Sequence, residues 1–254
     1  SIDFVGGTNL EYQFKPEVST DQIKASVEKQ GVSVVEMRDI PQGKSIRTKA
    51  IDEKQEINVR AALEKDLKTK ITVLRSETVG PVIGAETLRK TAIAAGLAVI
   101  GILLYVAYAF RNLNFALAAI TALFHDVLVV IGTYSIVSHF FGAELDTLFV
   151  TALLTTMSFS VHDTIVVFDQ IRDYRKKGRE GNIEDFANKA LTDTMVRSLN
   201  NSMTIIFMLL ALVLLGGSTI RFFALTLLIG TITGTYSSPF VATPVAIWLE
   251  KSRK

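Results

Sequence analysis

Three ionisable residues, Asp126, Asp163 and Arg197, lie within or at the edge of segments that are otherwise apolar enough to cross a lipid bilayer. A charge at the centre of a bilayer costs about 2.5 to 3.5 kcal/mol on insertion scales, so such residues usually face a protein interior or a water-filled cavity. Residues in such positions commonly serve ion or proton movement. Their placement therefore indicates a membrane protein whose chemistry is the movement of charge.

Two polar stripes accompany these charges at helical spacing. At about 100° per residue, the first stripe spans about 40° of one helix face and consists of Thr156, Ser160 and Asp163. The second has the spacing i, i+3, i+4, i+7 and consists of Arg197, Asn200, Asn201 and Thr204. Because polar faces inside a membrane pack together, we expect the two stripes to meet. Helix rise places Asp163 and Arg197 at similar depths, which predicts a direct or water-bridged pair.

A conformational proton switch is the chemistry that such a pair could perform. An arginine that approaches or leaves a carboxyl group in a low-dielectric site changes the affinity of that group for a proton. We therefore hypothesise that Asp163 is the protonatable group, Arg197 its mobile counter-charge and Asp126 a secondary polar or structural site. The alternative for the pair is a static contact that fixes helix register. The alternative for Asp126 is an interhelical hydrogen bond to a serine or threonine.

Two neighbouring histidines accompany the aspartates. His125 precedes Asp126, but adjacent helical residues point about 100° apart and need not touch. His162 precedes Asp163 and is a supporting residue of the predicted site.

The composition separates into two regions. The chain has 254 residues, of which 49% are hydrophobic and 20% charged, with a net charge of +2 and a mean hydropathy of +0.35. Residues 1–89 are mixed and charged, whereas residues 90–254 alternate apolar blocks with short polar loops, which predicts a water-exposed domain followed by a transmembrane domain. The absence of cysteine excludes a disulfide framework and a thiolate metal site. Nothing in the sequence indicates a cofactor, a metal, a nucleotide or nucleic-acid binding.

The apolar blocks predict five membrane spans, near residues 91–110, 115–141, 147–171, 196–215 and 222–248. Each approaches or exceeds the ~20 residues that a span requires. The fourth does so only by including Asn200 and Arg197. Apolar residues at helical spacing also predict an amphipathic cytoplasmic helix near 183–195, which we interpret as a connector lying on membrane lipid, with a partner-docking face as the alternative. In the last span, Gly230 and Gly234 form a small-xxx-small pair that favours close helix packing.

Orientation follows from the basic residues in short loops. One side carries Arg111, Arg172, Arg175, Lys176, Lys177, Arg179, Lys251, Arg253 and Lys254. The other side carries the acidic loop 142–146. The positive-inside rule therefore predicts a cytoplasmic C-terminus and a periplasmic or otherwise extracytoplasmic domain 1–89. Because the chain opens at Ser1 without a methionine or an apolar leader, we expect it to be a fragment whose first membrane helix is absent.

The outer domain alternates strand and helix patterns in the order βαββαβ, which predicts a small α+β, ferredoxin-like fold with its helices on one face. In its second helix, near 56–68, we expect Ile57, Ala61 and Leu67 to form the apolar face. Pro41, Gln42 and Gly43 are predicted to form a turn.

Three motifs resemble those of the SecD–SecF family of protein-export membrane proteins. They are Asp3-Phe4-Val5-Gly6-Gly7-Thr8, Val79-Gly80-Pro81 with Gly84, and the run from Phe159 to Arg172 that includes His162-Asp163-Thr164-Ile165-Val166. The resemblance covers essentially the whole chain and is to the smaller subunit of the pair. The sequence departs from the family pattern at His162, where asparagine is common, and at Gln170, where arginine is common.

The resemblance implies a six-helix subunit, its first helix missing here, that works beside SecD in a bundle similar to transporters of the resistance–nodulation–division class. Such a complex assists the Sec protein-conducting channel and uses the proton-motive force to complete export of unfolded preprotein across the cytoplasmic membrane. The resemblance therefore implies a proton-coupled subunit for protein translocation and not an enzyme. The resemblance also implies that intramembrane residues matching Asp163 and Arg197 belong to the proton pathway.

Two other classes of protein fit some of the residues. A proton-coupled small-molecule exporter of the resistance–nodulation–division class has a similar architecture, but the outer domain is too small to hold a substrate cleft alone. An intramembrane aspartyl protease would need two carboxyl groups that share a proton. No glycine-flanked catalytic aspartate motif is present, and an arginine beside one aspartate opposes proton sharing.

Overall fold

The computed structural model describes residues 1–40, 42–110, 112–177 and 181–252, without the side chains of Ser218 and Thr219. The chain forms two compact units, Ser1–Ala92 and Ile93–Lys254. The division falls shortly after the predicted domain boundary at residue 89. Five residues used in the predictions above lie outside the described part of the chain, namely Pro41, Arg111, Arg179, Arg253 and Lys254.

The first unit is built on a four-stranded sheet. Its elements are α1 (Ile2–Val5), β1 (Gly7–Lys15), α2 (Thr20–Lys29), β2 (Val34–Ile40), β3 (Gly43–Thr48), α3 (Glu53–Leu67) and β4 (Lys70–Val79). The strand order is β2-β3-β1-β4, and every neighbouring pair is antiparallel. The first unit is therefore a small α+β domain.

The core of this unit lies between one face of the sheet and the two longer helices. Leu10 and Tyr12 of β1 are fully buried, and the residue between them is not, as the two-residue repeat of a strand requires. The Tyr12 hydroxyl donates to Glu56 of α3 at 2.5 Å, and burial raises the pKa of Tyr12 well above its ordinary value. This bond ties the central strand to α3.

The predicted apolar face of α3 was wrong at two positions. Ile57 is 46% exposed and Ala61 is also exposed, whereas Val59 and Leu63 are buried in the core. Val59, Leu63 and Leu67 follow the i, i+4, i+8 spacing of a single helix stripe, and Leu67 packs partly buried against the same core.

The second unit is helical. Its elements are the end of α4 (Pro81–Phe110), α5 (Leu113–Phe141), α6 (Thr147–Lys176), α7 (Ile183–Leu215), α8 (Ser218–Ser237), a π-helical turn (Ser238–Ala242) and α9 (Thr243–Ser252). Within the described residues, five helical stretches are long and apolar enough to cross a membrane, the last running continuously from Ile220 to Ser252. The predicted number of spans is confirmed.

Polar residues at the loop ends fix where these helices begin. The side chains of Asn112, Asp146 and Asn182 each accept a hydrogen bond from a backbone N–H of the first turn of α5, α6 and α7, respectively. These bonds satisfy donors that a helix start otherwise leaves unpaired.

The helix predicted near 183–195 is not a separate element. It is the first part of α7, which continues into the fourth span because no proline or glycine interrupts Ile183–Leu215. Its apolar face does not lie on lipid as expected. Ala187 and Ala190 are buried in the main core of the bundle, and Ile183 and Phe186 pack against that core. Protein contacts therefore cover the face that the sequence assigns to lipid.

Candidate functional site

Asp126 of α5 is held in a buried, fully bonded position. The residue is 4% exposed, and Oδ2 accepts hydrogen bonds from Ser160 of α6 at 2.5 Å and Ser237 of α8 at 2.7 Å. The ring Nδ1 of His125 lies 2.9 Å from Oδ1. The interhelical hydrogen bond considered as the alternative for Asp126 is thus present, and it joins three helices. Two neutral hydroxyl donors and a ring nitrogen offset the cost of burying this carboxyl group.

His125 contacts Asp126, although adjacent helical residues need not touch. Its other ring nitrogen lies 2.9 Å from the hydroxyl of Tyr236 in α8, and the two rings meet edge to face with centroids 5.6 Å apart. The half-buried His125 therefore links the more exposed Tyr236 to the buried carboxyl.

Asp163 occupies a looser environment than Asp126. It is half-buried, and its Oδ2 accepts one side-chain hydrogen bond, from Ser198 of α7 at 2.8 Å. It borders a cavity of about 20 Å³ between α6, α7 and α8, which is large enough for about one water molecule. Polar residues dominate the lining of this cavity, which includes His162, Asn201, Ser202, Thr231 and Thr235.

Arg197 does not form the direct ion pair that was one form of its predicted contact with Asp163, and the water-bridged form stays a prediction. The arginine is exposed, and no ion pair within 4.0 Å joins it to a carboxylate in the described part of the chain. Arg197 is nevertheless the neighbour of Ser198, which donates to Asp163. Arg197 and Ser198 are thus adjacent on α7, and their side chains point about 100° apart.

The two polar stripes do not pack together as expected. Arg197, Asn200, Asn201 and Thr204 are all exposed in this chain, although Asn201 also borders the cavity beside Asp163. The face of α7 that packs inward carries Ser198, Ser202 and Leu209 instead. The second stripe is offset from this face by about one residue.

Small residues bring α6 and α8 into close contact. A Cβ placed on Gly230 would overlap the side chain of Thr156, and one on Gly234 would lie 3.1 to 3.4 Å from Ser160. The prediction that these glycines mark close packing is confirmed. The contact serves both acidic groups, because Ser160 donates to Asp126 while Gly234 borders the cavity beside Asp163.

Sequence reasoning missed the hydroxyl groups that complete the site. These are Ser198, Ser202, Thr235, Ser237 and Ser238, which bond across helices to Asp163, to one another, to Asp126 and to Thr164. A signal for two of them exists in the run Ser237-Ser238-Pro239 within an apolar span. Pro239 has no backbone N–H to donate to the α-helical hydrogen-bond pattern, and the helix widens into the π-helical turn there.

Among the described residues, no group of three or more histidine, aspartate or glutamate side chains is placed to hold a metal ion. The site thus consists of two carboxyl groups, the contact between His125 and Tyr236, and hydroxyl groups that bond between helices, all inside a bundle of potential spans. These features define a multi-pass membrane protein with a polar, protonatable core.

Comparison with known proteins identifies the family. The model of the family described as "Protein export membrane protein SecD/SecF, C-terminal" matches residues 59–252. The protein translocase subunit SecF of Thermobaculum terrenum is 41% identical over 98% of this chain and 84% of its own length. The SecDF subunit of Thermus thermophilus is 35% identical over 100% of this chain and 35% of its own length. A crystal structure of SecDF in its super-membrane-facing form superposes with a TM-score of 0.63 at 30% identity, covering 100% of this chain and 35% of that one. The chain belongs to the SecD/SecF family of protein-export membrane proteins, and its relatives are translocase subunits.

Proposed function

We propose that this protein is the SecF-type subunit of a SecD–SecF complex, in which the proton-motive force drives late steps of export of unfolded preprotein through the Sec channel. The translocase relatives do not favour the small-molecule exporter considered as an alternative. The observation that carries the proton-coupled part of the proposal is the contrast between a firmly held Asp126 and a loosely held Asp163.

Asp163 is the proton carrier in this proposal. A group that exchanges a proton with water needs access to water, and Asp163 has a single hydroxyl bond and borders a water-sized cavity. Asp126 has two serine donors and a histidine contact and is almost fully buried, so it has little access to water. The sequence predicts that Asp126 is a secondary polar or structural site, and of these two roles we assign it the structural one.

Arg197 is the mobile counter-charge. Its position next to Ser198 allows its long side chain to approach Asp163 in a second conformation, while the present structure holds it away. Protonation of Asp163 removes the attraction between the two groups, and loss of the proton restores it. We propose that this change in attraction moves the spans and, through them, the outer domain.

The exposed stripe on α7 indicates that a partner subunit contacts this helix inside the membrane. Arginine and asparagine side chains are costly against lipid, so a face that carries Arg197, Asn200 and Thr204 needs a protein cover. In the Thermus thermophilus relative, the matching region is about a third of a longer SecDF chain. We propose that SecD covers this stripe and completes the surroundings of Arg197.

Orientation and the class of the outer domain complete the proposal. Arg175, Lys176 and Lys177 at the end of α6 favour a cytoplasmic location for that end, opposite the acidic connection at Glu144. The outer domain then lies on the periplasmic side and the C-terminus in the cytoplasm. Its strand order and βαββαβ succession support assignment to the ferredoxin-like fold.

The test compares the same chemical change at the two aspartates. Asp163→Asn removes the protonatable group and should lower the gradient-dependent part of export in proteoliposomes. A proton crossing 100 mV contributes about 2.3 kcal/mol, so the expected loss is about 50-fold. Asp126→Asn retains an acceptor for the two serines and should leave the gradient-dependent export per folded complex nearly unchanged.

Assembly with SecD is measured in parallel by co-purification. Retained assembly with lost gradient dependence in Asp163→Asn supports the proton switch. Lost assembly in this variant would support the static-contact alternative, and equal export losses at both positions would contradict the division of roles.

A further inference from the structure

A second polar site lies at the end of the helical unit, away from both aspartates. It is a cavity of about 620 Å³ formed where α4 ends, α5 begins and α6 ends. Its lining includes Tyr108, Asn112, Phe115, Arg172, Arg175 and Lys176. Cavities of about 300 to 1,000 Å³ are typical of small-ligand sites.

The cationic side of this cavity is partly preorganised. The Arg172 guanidinium donates to the backbone carbonyl of Ala109 at 3.0 Å and to Asp169 at 2.6 Å. These two bonds hold a charged group in place before any ligand arrives. A braced guanidinium loses less conformational entropy on binding an anion than a free side chain would.

The three cations that line the cavity among the described residues are not fully balanced by carboxylates. Asp169 pairs with Arg172, and Glu250 contacts Arg175 at 3.4 Å. Lys176 is exposed and has no carboxylate within 4.0 Å in the described part of the chain. The described part of the lining therefore presents one positive charge without a carboxylate partner beside two paired ones, which favours an anionic ligand.

The opposite side of the cavity is aromatic and continues onto an apolar helix face. Phe115 is buried against Phe168, with ring centroids 5.0 Å apart, and forms a fixed wall. On α4, Leu104 is 67% exposed and Tyr108 is 72% exposed, one helical turn apart. A tyrosine between basic residues and an apolar stripe is typical of the membrane interface.

We propose that this cavity binds the headgroup of an anionic phospholipid, of the phosphatidylglycerol class, whose acyl chains run along the exposed face of α4. The phosphodiester contacts Lys176 and the fixed guanidinium of Arg172, and Asn112 lies close enough to line the glycerol end. Basic pockets between spans on the cytoplasmic side are known to suit such headgroups. The apolar face beside the cations distinguishes a lipid from a free phosphate ion, which would gain nothing from Leu104 and Tyr108.

Two adjacent lysines provide a matched pair of variants. Lys176 lines the cavity, whereas Lys177 forms an ion pair with Asp173 at 2.7 Å and does not line it. Lys176→Gln and Lys177→Gln remove the same charge at neighbouring positions. A general surface-charge effect changes both equally, and a built site changes only the first.

The measurement is native mass spectrometry of the purified protein, with any subunit that co-purifies, titrated with dioleoyl-phosphatidylglycerol or dioleoyl-phosphatidylcholine. We expect the unchanged protein to retain phosphatidylglycerol preferentially, Lys176→Gln to weaken that retention about fivefold, and Lys177→Gln to leave it unchanged. Equal losses in both variants, or no preference between the two lipids, would overturn the site.

Inorganic phosphate separates the two sources of a phosphate group. A large excess of phosphate should leave phosphatidylglycerol bound, because the ion lacks the acyl chains. Displacement of the lipid by phosphate would assign the cavity to a free anion and would contradict the proposal.

Discussion

Asp126 and Asp163 lie on neighbouring helices of one bundle, yet they differ in burial, in the number of their hydrogen-bond partners and in the free volume beside them. Asp126 is almost fully buried and contacts two serines and a histidine from three helices. Asp163 is half-buried, accepts one serine hydroxyl and borders a cavity with the volume of about one water molecule. The comparison teaches that the presence of an acid inside a span does not define its role. In the function proposed above, the number of its partners and the free volume beside it separate the proton carrier from the structural group.

The largest expected effect comes from breaking the helix contact that both sites share. Gly230→Leu places a side chain where Thr156 already lies, so α6 and α8 must separate. Overpacking of this kind costs about 3 kcal/mol and should disturb both acids together. The measurement is fluorescence-detected gel filtration after heating in detergent.

Gly132→Leu is the matched control for Gly230→Leu. Gly132 is exposed on α5, and a Cβ there meets nothing within 4 Å. This variant should melt close to the unchanged protein. A Gly230→Leu protein that is as stable as Gly132→Leu would show that the two sites do not depend on this contact.

Asp126→Ala should cost more stability than Asp163→Ala. The first leaves the buried Ser160 and Ser237 hydroxyls without their acceptor, which costs about 2 kcal/mol in total. The second leaves one hydroxyl, beside a cavity that accommodates water, and should cost less than about 1 kcal/mol. The thermal midpoints of the two variants provide the test, and the reverse order would contradict the assignment of a structural role to Asp126.

The smallest expected effect on stability is that of Ser198→Ala, about 0.6 kcal/mol, because it removes a single interhelical hydrogen bond. Its effect on gradient-dependent export should nevertheless be measurable, since Ser198 is the hydroxyl that holds Asp163. Ser158→Ala, on an exposed position of α6, is the control for loss of a hydroxyl from a span. Identical export by the two serine variants would show that the Asp163 contact does not matter for coupling.

Much of the fold follows from local pattern. Long apolar runs predict the five spans because bilayer thickness sets their length, and the alternation in β1 predicts its buried face. The continuity of α7 could also have been predicted, because Ile183–Leu215 contains no helix-breaking residue. The charged residues between positions 184 and 197 interrupt the apolar pattern without interrupting the helix.

The partners of the site residues could not be predicted in the same way. A serine in an apolar helix bonds equally well to its own backbone or to a neighbouring helix, so the sequence does not single out Ser198 or Ser237. The stripe on α7 is exposed, although its spacing is correct, because helical periodicity defines a face and not what that face contacts. Tertiary packing decides that choice.

The π-helical turn makes the last span a length-sensitive joint between its two halves. The five residues Ser238–Ala242 set the rotation of α9 relative to α8. Ser237, just before the turn, donates to Asp126, and Ser238, its first residue, contacts Thr164. Each residue of a helix advances its face by about 100°, so deleting one residue here would swing the buried Ala242 and Ala246 out of the core. Substitutions in this turn alter contacts one at a time, whereas a change in residue count would misalign everything that follows.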